Sequence, residues 1–177
     1  MTDTIAIFAS ARRNGNTGKL IDWIANELDI ELIDLSDKNI SPYDYEHKNL
    51  NDDFIPLMNH LLNFKKIIFV TPVYWYAASA QMKIFIDRTS DFLDIEELKG
   101  IGRKLREKTA YIVCTSISSA ADRSFLNSFI DTFGYLGMNY GGHIHANCEN
   151  GYHPDDYIED VNKFVQLVKC ADVPTAV

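Results

Sequence analysis

Short uninterrupted apolar runs alternate along this chain with longer stretches in which apolar residues recur every three or four positions. The runs are Thr4 to Ala9 (TIAIFA), Lys66 to Val70 (KIIFV) and Thr109 to Thr115 (TAYIVCT); Ile30 to Leu35 (IELIDL) alternates like a strand, and Tyr140 to Ala146 reads as the last strand. Each has strand length and is flanked by polar or turn residues, as buried strands are. Between them, Leu20, Ile21, Trp23, Ile24 and Leu28 fall at helical intervals, as do Phe54, Ile55, Leu57, Met58, Leu61 and Leu62. The spacing predicts a third helix over Ala80 to Leu93, with Met82, Phe85, Ile86 and Phe92 near one face. A fourth follows from Phe125, Phe129, Ile130, Phe133 and Leu136, and a fifth over Tyr157 to Cys170. Pro72 is expected to stop the third strand, and the polar segment Ser36 to Asn51, which carries Pro42, reads as a connection.

Five strands alternating with five helices predict a parallel sheet covered on both faces and joined by right-handed crossovers. The commonest solution is a flavodoxin-like α/β sandwich with strand order 2-1-3-4-5, here one domain over 1–177. Ligands of such sheets bind beyond the carboxyl ends of the strands where the order reverses, between the first and third strands. Two loops therefore matter most.

The loop after the first strand, Ser10-Ala11-Arg12-Arg13-Asn14-Gly15-Asn16-Thr17-Gly18-Lys19, is dense in anion-binding groups. Ser10 and Thr17 carry hydroxyls, Asn14 and Asn16 amides, and Arg12 and Arg13 positive charge. A helix starts directly afterwards, so its open N–H groups and positive dipole end face the same point. A second reading stays open from these residues alone: Asn16 or Thr17 caps the helix, Gly15 serves the turn and the arginines are solvated. Other phosphate loops are excluded. Arg13 stands where a nucleoside triphosphate P-loop needs its first glycine, Leu20 follows Gly18-Lys19 in place of Ser or Thr, no cysteine nucleophile is present, and GxGxxG is absent.

After the third strand, Thr71-Pro72-Val73-Tyr74-Trp75-Tyr76-Ala77-Ala78-Ser79-Ala80 places three consecutive aromatics at the same crevice. Exposing Tyr74, Trp75 and Tyr76 is costly unless they meet a ring system or a partner surface, and Ala77, Ala78 and Ser79 allow close approach. Packing in the core or a dimer accounts for at least one of the three. Together the loops specify a ligand with a phosphate at one end and a flat ring at the other, as in FMN.

The loop Ser10 to Thr17, the segment Pro72-Val73-Tyr74-Trp75-Tyr76 and the stretch Lys83-Ile84-Phe85-Ile86-Asp87-Arg88 resemble the flavodoxin-like NAD(P)H-dependent FMN reductases. The resemblance spans nearly the whole chain in element order. It implies that Ser10, Arg12, Asn16 and Thr17, with Asn14 beside them, bind the FMN phosphate. It also implies that Pro72, Val73, Tyr74, Trp75 and Tyr76 border the ribityl chain and isoalloxazine, and that Thr115 and Ser116 approach the ring from the other side. Lys83, Asp87 and Arg88 read as structural or interfacial. Relatives with an iron–sulfur cluster carry cysteines after the second strand; Ser36 to Asn51 has none, so no cluster is expected. Tyr43, Tyr45 and His47 in that connection read as loop packing in preference to a substrate lip.

Lysine plus arginine number 17 against 25 aspartate plus glutamate, a net charge of −8 that repels nucleic acid. Any phosphate must therefore be held by local donors. Three spaced cysteines without a CxxC pair argue for a reduced compartment, and no targeting pattern or membrane-length apolar run is present. The expected location is the cytoplasm. Cys114 and Cys170 read as small buried hydrophobes. His143 and His145 share one strand face with Cys148 beyond, a pair more consistent with an edge strand than with a metal site, and no metal is expected. The acids around Asp155 and Glu159 suit the start of the last helix.

These readings converge on an oxidoreductase that holds FMN without a covalent link and carries reducing equivalents from NADH or NADPH to a small-molecule acceptor such as a quinone or another flavin. The alternative is a flavodoxin-type one-electron carrier without hydride chemistry, which the acidic balance suits; a non-enzymatic sensor shares the fold. The arginines of the phosphate loop favour the enzyme. The resemblance also implies a homodimer, with the apolar surface around Trp75, Tyr76 and the third helix as the contact.

Overall fold

The computed structural model describes residues 2–170, so the domain expected over 1–177 extends past the described residues at both ends. Its strands are β1 (Thr4–Phe8), β2 (Glu31–Asp34), β3 (Lys66–Tyr74), the two-residue β4 (Ala77–Ala78), β5 (Thr109–Ser116) and β6 (Asn139–Asn147). The five long ones lie parallel in the order β2-β1-β3-β5-β6, which is 2-1-3-4-5 when β4 is left out of the count. The helices are α1 (Asn16–Glu27), α2 (Phe54–Leu61), α3 (Ala80–Asp87), α4 (Asp91–Asp94), α5 (Lys99–Arg103), α6 (Arg123–Leu136) and α7 (Ile158–Cys170).

Alternation along each central strand feeds two cores. Ile5 and Ile7 of β1 join Phe54, Met58, Phe85 and Phe129 beneath α2, α3 and α6, whereas Ala6 and Phe8 join Leu20, Ile24, Val161 and Phe164 beneath α1 and α7. Both faces are dry, which is why these strands read as unbroken apolar runs. Each large aliphatic or Phe side chain withdrawn from water contributes about 1.5–3 kcal/mol. At the far edge the β5–β6 register slips between Ala110 and Tyr111. Gly141 sits opposite the slip, where a Cβ would fall 2.3 Å from the Tyr111 ring, so a side chain there would displace that ring.

Several expectations are corrected. Pro72 does not end β3; it stays in the ladder opposite Thr115. Successive strand residues bond to opposite neighbours, and Val70 turns its carbonyl to β1, accepting the Ala9 N–H at 2.9 Å. Pro72 shares that phase but lies where β1 has already ended, so its missing donor is not needed. The helix expected over Ala80 to Leu93 breaks at Asp87 into a 3-10 turn, Arg88–Ser90, followed by α4. That turn eclipses positions three apart and brings Arg88 onto Asp91, Nε to Oδ2 at 2.8 Å, with both side chains fully buried. Further helix was missed between α4 and β5, where Leu98, Ile101 and Leu105 face the core at spacings of three and four. Cys170 is exposed, at the end of α7.

Candidate functional site

The carboxyl ends of β1, β3 and β5, with the chain that follows each, enclose a cleft of about 730 Å³. Small-molecule sites commonly measure roughly 300–1,000 Å³. From the β1 side come Ser10, Arg12, Asn16 and Thr17; from the β3 side Pro72, Val73, Tyr74, Trp75 and Tyr76; from the β5 side Thr115 and Ser116. Asn14 is the exception among the residues singled out from the sequence. A turn closed by the Gly15 N–H on the Arg12 carbonyl, at 3.3 Å, leaves Asn14 exposed and outside the lining.

The capping reading of this loop is overturned. Gly15 occupies the cap position of α1 without a side-chain hydrogen bond, and Asn16 and Thr17 lie inside the first turn. The leading N–H groups of α1 are left for whatever fills the cleft. Gly18 allows the loop to fold tightly over the helix, since a Cβ there would fall 1.7 Å from the Arg13 carbonyl oxygen. Thr17 Oγ1 meets Thr115 Oγ1 at 2.6 Å, tying the loop to the end of β5. The two arginines divide. Arg13 reaches Asp22, Nη1 to Oδ2 at 3.1 Å, lies over the Phe8 ring at 5.1 Å, and is held more firmly charged by the Asp22 hydrogen bond. Arg12 lines the cleft.

The third-strand segment is a hairpin that the sequence reading did not anticipate. β4 folds back antiparallel on β3, pairing Val73 with Ala78 and Tyr74 with Ala77. Trp75 and Tyr76 make the two-residue turn with φ of 50° and 64°, a pattern that ordinarily selects Asn and Gly. Bulky residues in that region cost about 1–3 kcal/mol each. Their side chains are nonetheless turned outward: Trp75 is 94% exposed and Tyr76 65%. The hairpin base, by contrast, is clamped. Ser79 donates its N–H to Thr71 Oγ1 at 3.0 Å and its hydroxyl to the Ala9 carbonyl at 2.9 Å, and accepts the Met82 N–H at 3.3 Å to cap α3. Two strand-compatible pairs flanking two residues were the available signal, masked by the absence of Asn or Gly.

Four further lining residues went unrecognised: Ile117, Ser118, Asp122 and Cys148. Asp122 carries an N-cap signature, accepting the Ser124 N–H at 2.8 Å and the Phe125 N–H at 3.3 Å. Hydrogen bonding from Ser124 holds its carboxyl below the ordinary range. Burial pushes the Cys148 thiol up to about 11, so it stays protonated. The other candidates lie elsewhere. Tyr43 packs edge-on against Tyr45 at 5.0 Å and donates to Asp94, and His47 Nδ1 stands 3.3 Å from Asp91. Lys83 pairs with Asp87 at 2.6 Å on the surface of α3. Among the described residues no three His, Cys, Asp or Glu side chains converge as a metal site.

An open helix N-terminus, clustered hydroxyls and one arginine suit a phosphate, and an aromatic wall beside them suits a planar ring. Residues 2–153 match the family described as NADPH-dependent FMN reductase. The Bacillus subtilis (strain 168) protein YwqN, whose name assigns it to NAD(P)H-dependent FMN-containing oxidoreductases, is 26% identical over 162 residues, covering 87% of this chain and 88% of that one. Among solved structures, the Trp repressor binding protein of Bacillus subtilis superposes with a TM-score of 0.71 at 24% identity, covering 95% of this chain and 99% of that one. The FMN-dependent NADH-azoreductase of Bacillus anthracis, in complex with FMN, superposes with a TM-score of 0.66 at 13% identity, covering 97% and 100%. These two likenesses, with those to solved flavodoxins, establish the flavodoxin-like fold.

Proposed function

The chain belongs to the NADPH-dependent FMN reductase family, and from that premise we propose that the cleft at the ends of β1, β3 and β5 is where this FMN-dependent NAD(P)H oxidoreductase holds its flavin and meets a small quinone, flavin or similar acceptor. The observation that carries the reading is the convergence of an uncapped α1 N-terminus and the Tyr74–Tyr76 hairpin on one cavity of suitable size. Ser10, Arg12, Asn16, Thr17 and the first N–H groups of α1 would hold the phosphate, with Arg12 offsetting the acidic net charge locally. Pro72 to Tyr76 would wall the ring on one side and Thr115 and Ser116 on the other. Bound FMN supplies reversible redox chemistry between a nicotinamide donor and the acceptor. The side chains of the cleft bind, orient and exclude water; none needs to act as acid or base. Cys148 stays protonated, and Asp122 is occupied as a cap.

The one-electron carrier gives way to the enzyme because the matched family is a reductase family. Exposed Trp75 and Tyr76 at the cleft mouth support a homodimer that covers them. No helix among the described residues is long and apolar enough to cross a membrane. The free thiols of Cys114, Cys148 and Cys170 support a reduced, cytoplasmic setting, and the one sheet covered by both cores supports the single flavin-binding domain expected over 1–177. The test is the absorption spectrum of the purified protein, followed by anaerobic addition of NADH and NADPH and then of quinone or free flavin. Bleaching of a flavin band by nicotinamide and its return with acceptor are expected. A protein that neither carries nor takes up FMN and oxidises no NAD(P)H sinks the assignment.

A further inference from the structure

Ser116, on the β5 side of the cleft, is held between two nitrogens. Its Oγ accepts the Ser118 N–H at 3.1 Å and lies 2.8 Å from Nε2 of His145. A serine hydroxyl has one proton to give and two lone pairs to fill. When Nε2 is bare, Ser116 donates to it and can offer the cleft only an acceptor. When Nε2 carries a proton, it donates to Oγ, both lone pairs are occupied, and the hydroxyl proton is free to turn into the cleft that Ser116 lines. His145 itself does not line that cleft. It sits on β6 beside a second cavity of about 470 Å³, with His143, Asp160 and Lys163.

We propose that His145 is a positioning residue that, through Ser116, sets whether the flavin cleft presents a hydroxyl donor or an acceptor. The proposal rests on the cleft being the flavin site. The titratable and charged groups around His145 are His143 on its own strand, bonded to Tyr140 at 2.7 Å, Asp160 and Lys163 of α7, which line the same cavity, and Cys114, its register partner on β5. Burial pushes the Cys114 thiol up to about 12, so it adds no charge. Burial first, and then His143, lowers His145 from the ordinary 6.5, so at neutral pH the ring chooses between two neutral tautomers. FMN is rich in acceptor oxygens, and a ligand of that kind favours the state in which Nε2 bears the proton and Ser116 donates. By reciprocity, whatever fixes that tautomer tightens flavin binding.

The test combines ¹⁵N spectroscopy of histidine-labelled protein with flavin titrations. Saturation with FMN, and separately with riboflavin to remove the phosphate's own protonation, is expected to place the proton of His145 on Nε2. His145→Phe and Ser116→Ala should each weaken riboflavin binding about fivefold, and the double variant no further than either alone, because both break one device. His145→Gln, whose carboxamide can still donate, should return within about twofold of wild type, and His143→Phe should bind as wild type. An Nε2 that stays bare in the saturated protein, or losses from His145→Phe and Ser116→Ala that multiply, overturns the proposal. Should His145→Phe fail to fold by circular dichroism, the Gln variant and the spectra decide. Wild-type protein that binds no flavin overturns the site assignment itself and this proposal with it.

Discussion

Two connections at the same end of the sheet are built on opposite principles. The connection between β2 and α2, residues 35–53, is tied down from beneath by a buried arginine. Arg88 is fully buried, stacks at 4.7 Å on the Phe54 ring, pairs with Asp91 and Asp52, and donates to the Ser41 carbonyl at 3.1 Å. The hairpin joining β3 to α3 is clamped only at its base, and its tip combines two strained residues with an outward-turned indole and phenol. In the first region charge is buried to fix a loop. In the second, apolar surface and backbone strain are kept at the cleft mouth, left uncovered by the described residues. The first connection also carries an exposed Tyr45 and a left-handed His47, but it stands over buried ions, whereas the ties of the hairpin are gathered at its base.

The largest expected effect tests the architectural side. Arg88→Leu strips Asp91 and Asp52 of their shared cation, leaving Asp52 to the N–H groups of Ser41 and Phe54 and Asp91 to His47, a change worth about 3–5 kcal/mol. The unfolding midpoint should fall by about 10 °C, while flavin affinity in the surviving folded protein stays within about threefold, since Arg88 does not line the cleft. A large loss of affinity at unchanged stability would reverse the comparison.

Acid titration sharpens the same point. Burial opposes the charge of Asp52, but Arg88 and the N–H groups of Ser41 and Phe54 outweigh it and hold the carboxyl below 3.8. A depressed folded-state pKa means that this stabilisation is complete above the unfolded value and is lost as pH falls from there through the folded value. Wild type should therefore lose stability steeply below about pH 4. Asp52→Asn, less stable throughout, should show a shallower slope over that window in urea unfolding.

At the hairpin the signs should oppose each other. Replacing Trp75-Tyr76 by Asn-Gly relieves the left-handed strain and should raise stability by about 1–2 kcal/mol. Flavin binding, followed by fluorescence quenching, should weaken about tenfold, the equivalent of roughly 1.4 kcal/mol. Equal affinity would show that the aromatics serve another partner. The smallest effect is expected at Thr17→Val, which strands the buried Thr115 hydroxyl at a cost of about 1 kcal/mol. Because Thr17 lies in the first turn of α1, its loss should reduce the preference for FMN over riboflavin more than it reduces riboflavin binding, as paired titrations will show.

Much of this was legible along the chain. The five strand-length segments became the five parallel strands in the expected order: burial on both faces leaves an unmistakable apolar run in β1, β3 and β5, whereas the edge strands β2 and β6 are only partly buried and show no such run. Ser10, Arg12, Asn16, Thr17, Thr115 and Ser116 meet at one cleft because the order reversal between the first and third strands sends those ends together. The contributions of Asp122 and Cys148 were hidden: one follows β5 by six residues and the other comes directly after β6, and neither belongs to a recognisable motif. The hairpin was hidden because Trp-Tyr is a poor sequence for its turn.

What the sequence determined by itself is the alternation of elements and the chemistry of the first loop, since periodicity and side-chain type are local and survive without a fold. Only the tertiary structure decided that Pro72 continues a strand, that Arg88 is swallowed between two aspartates, and that His145 reaches Ser116 across β5 and β6. Each depends on what lies alongside in space: a neighbouring strand that ends early, a turn that eclipses its side chains, and a register that sets residues 29 apart within hydrogen-bonding distance.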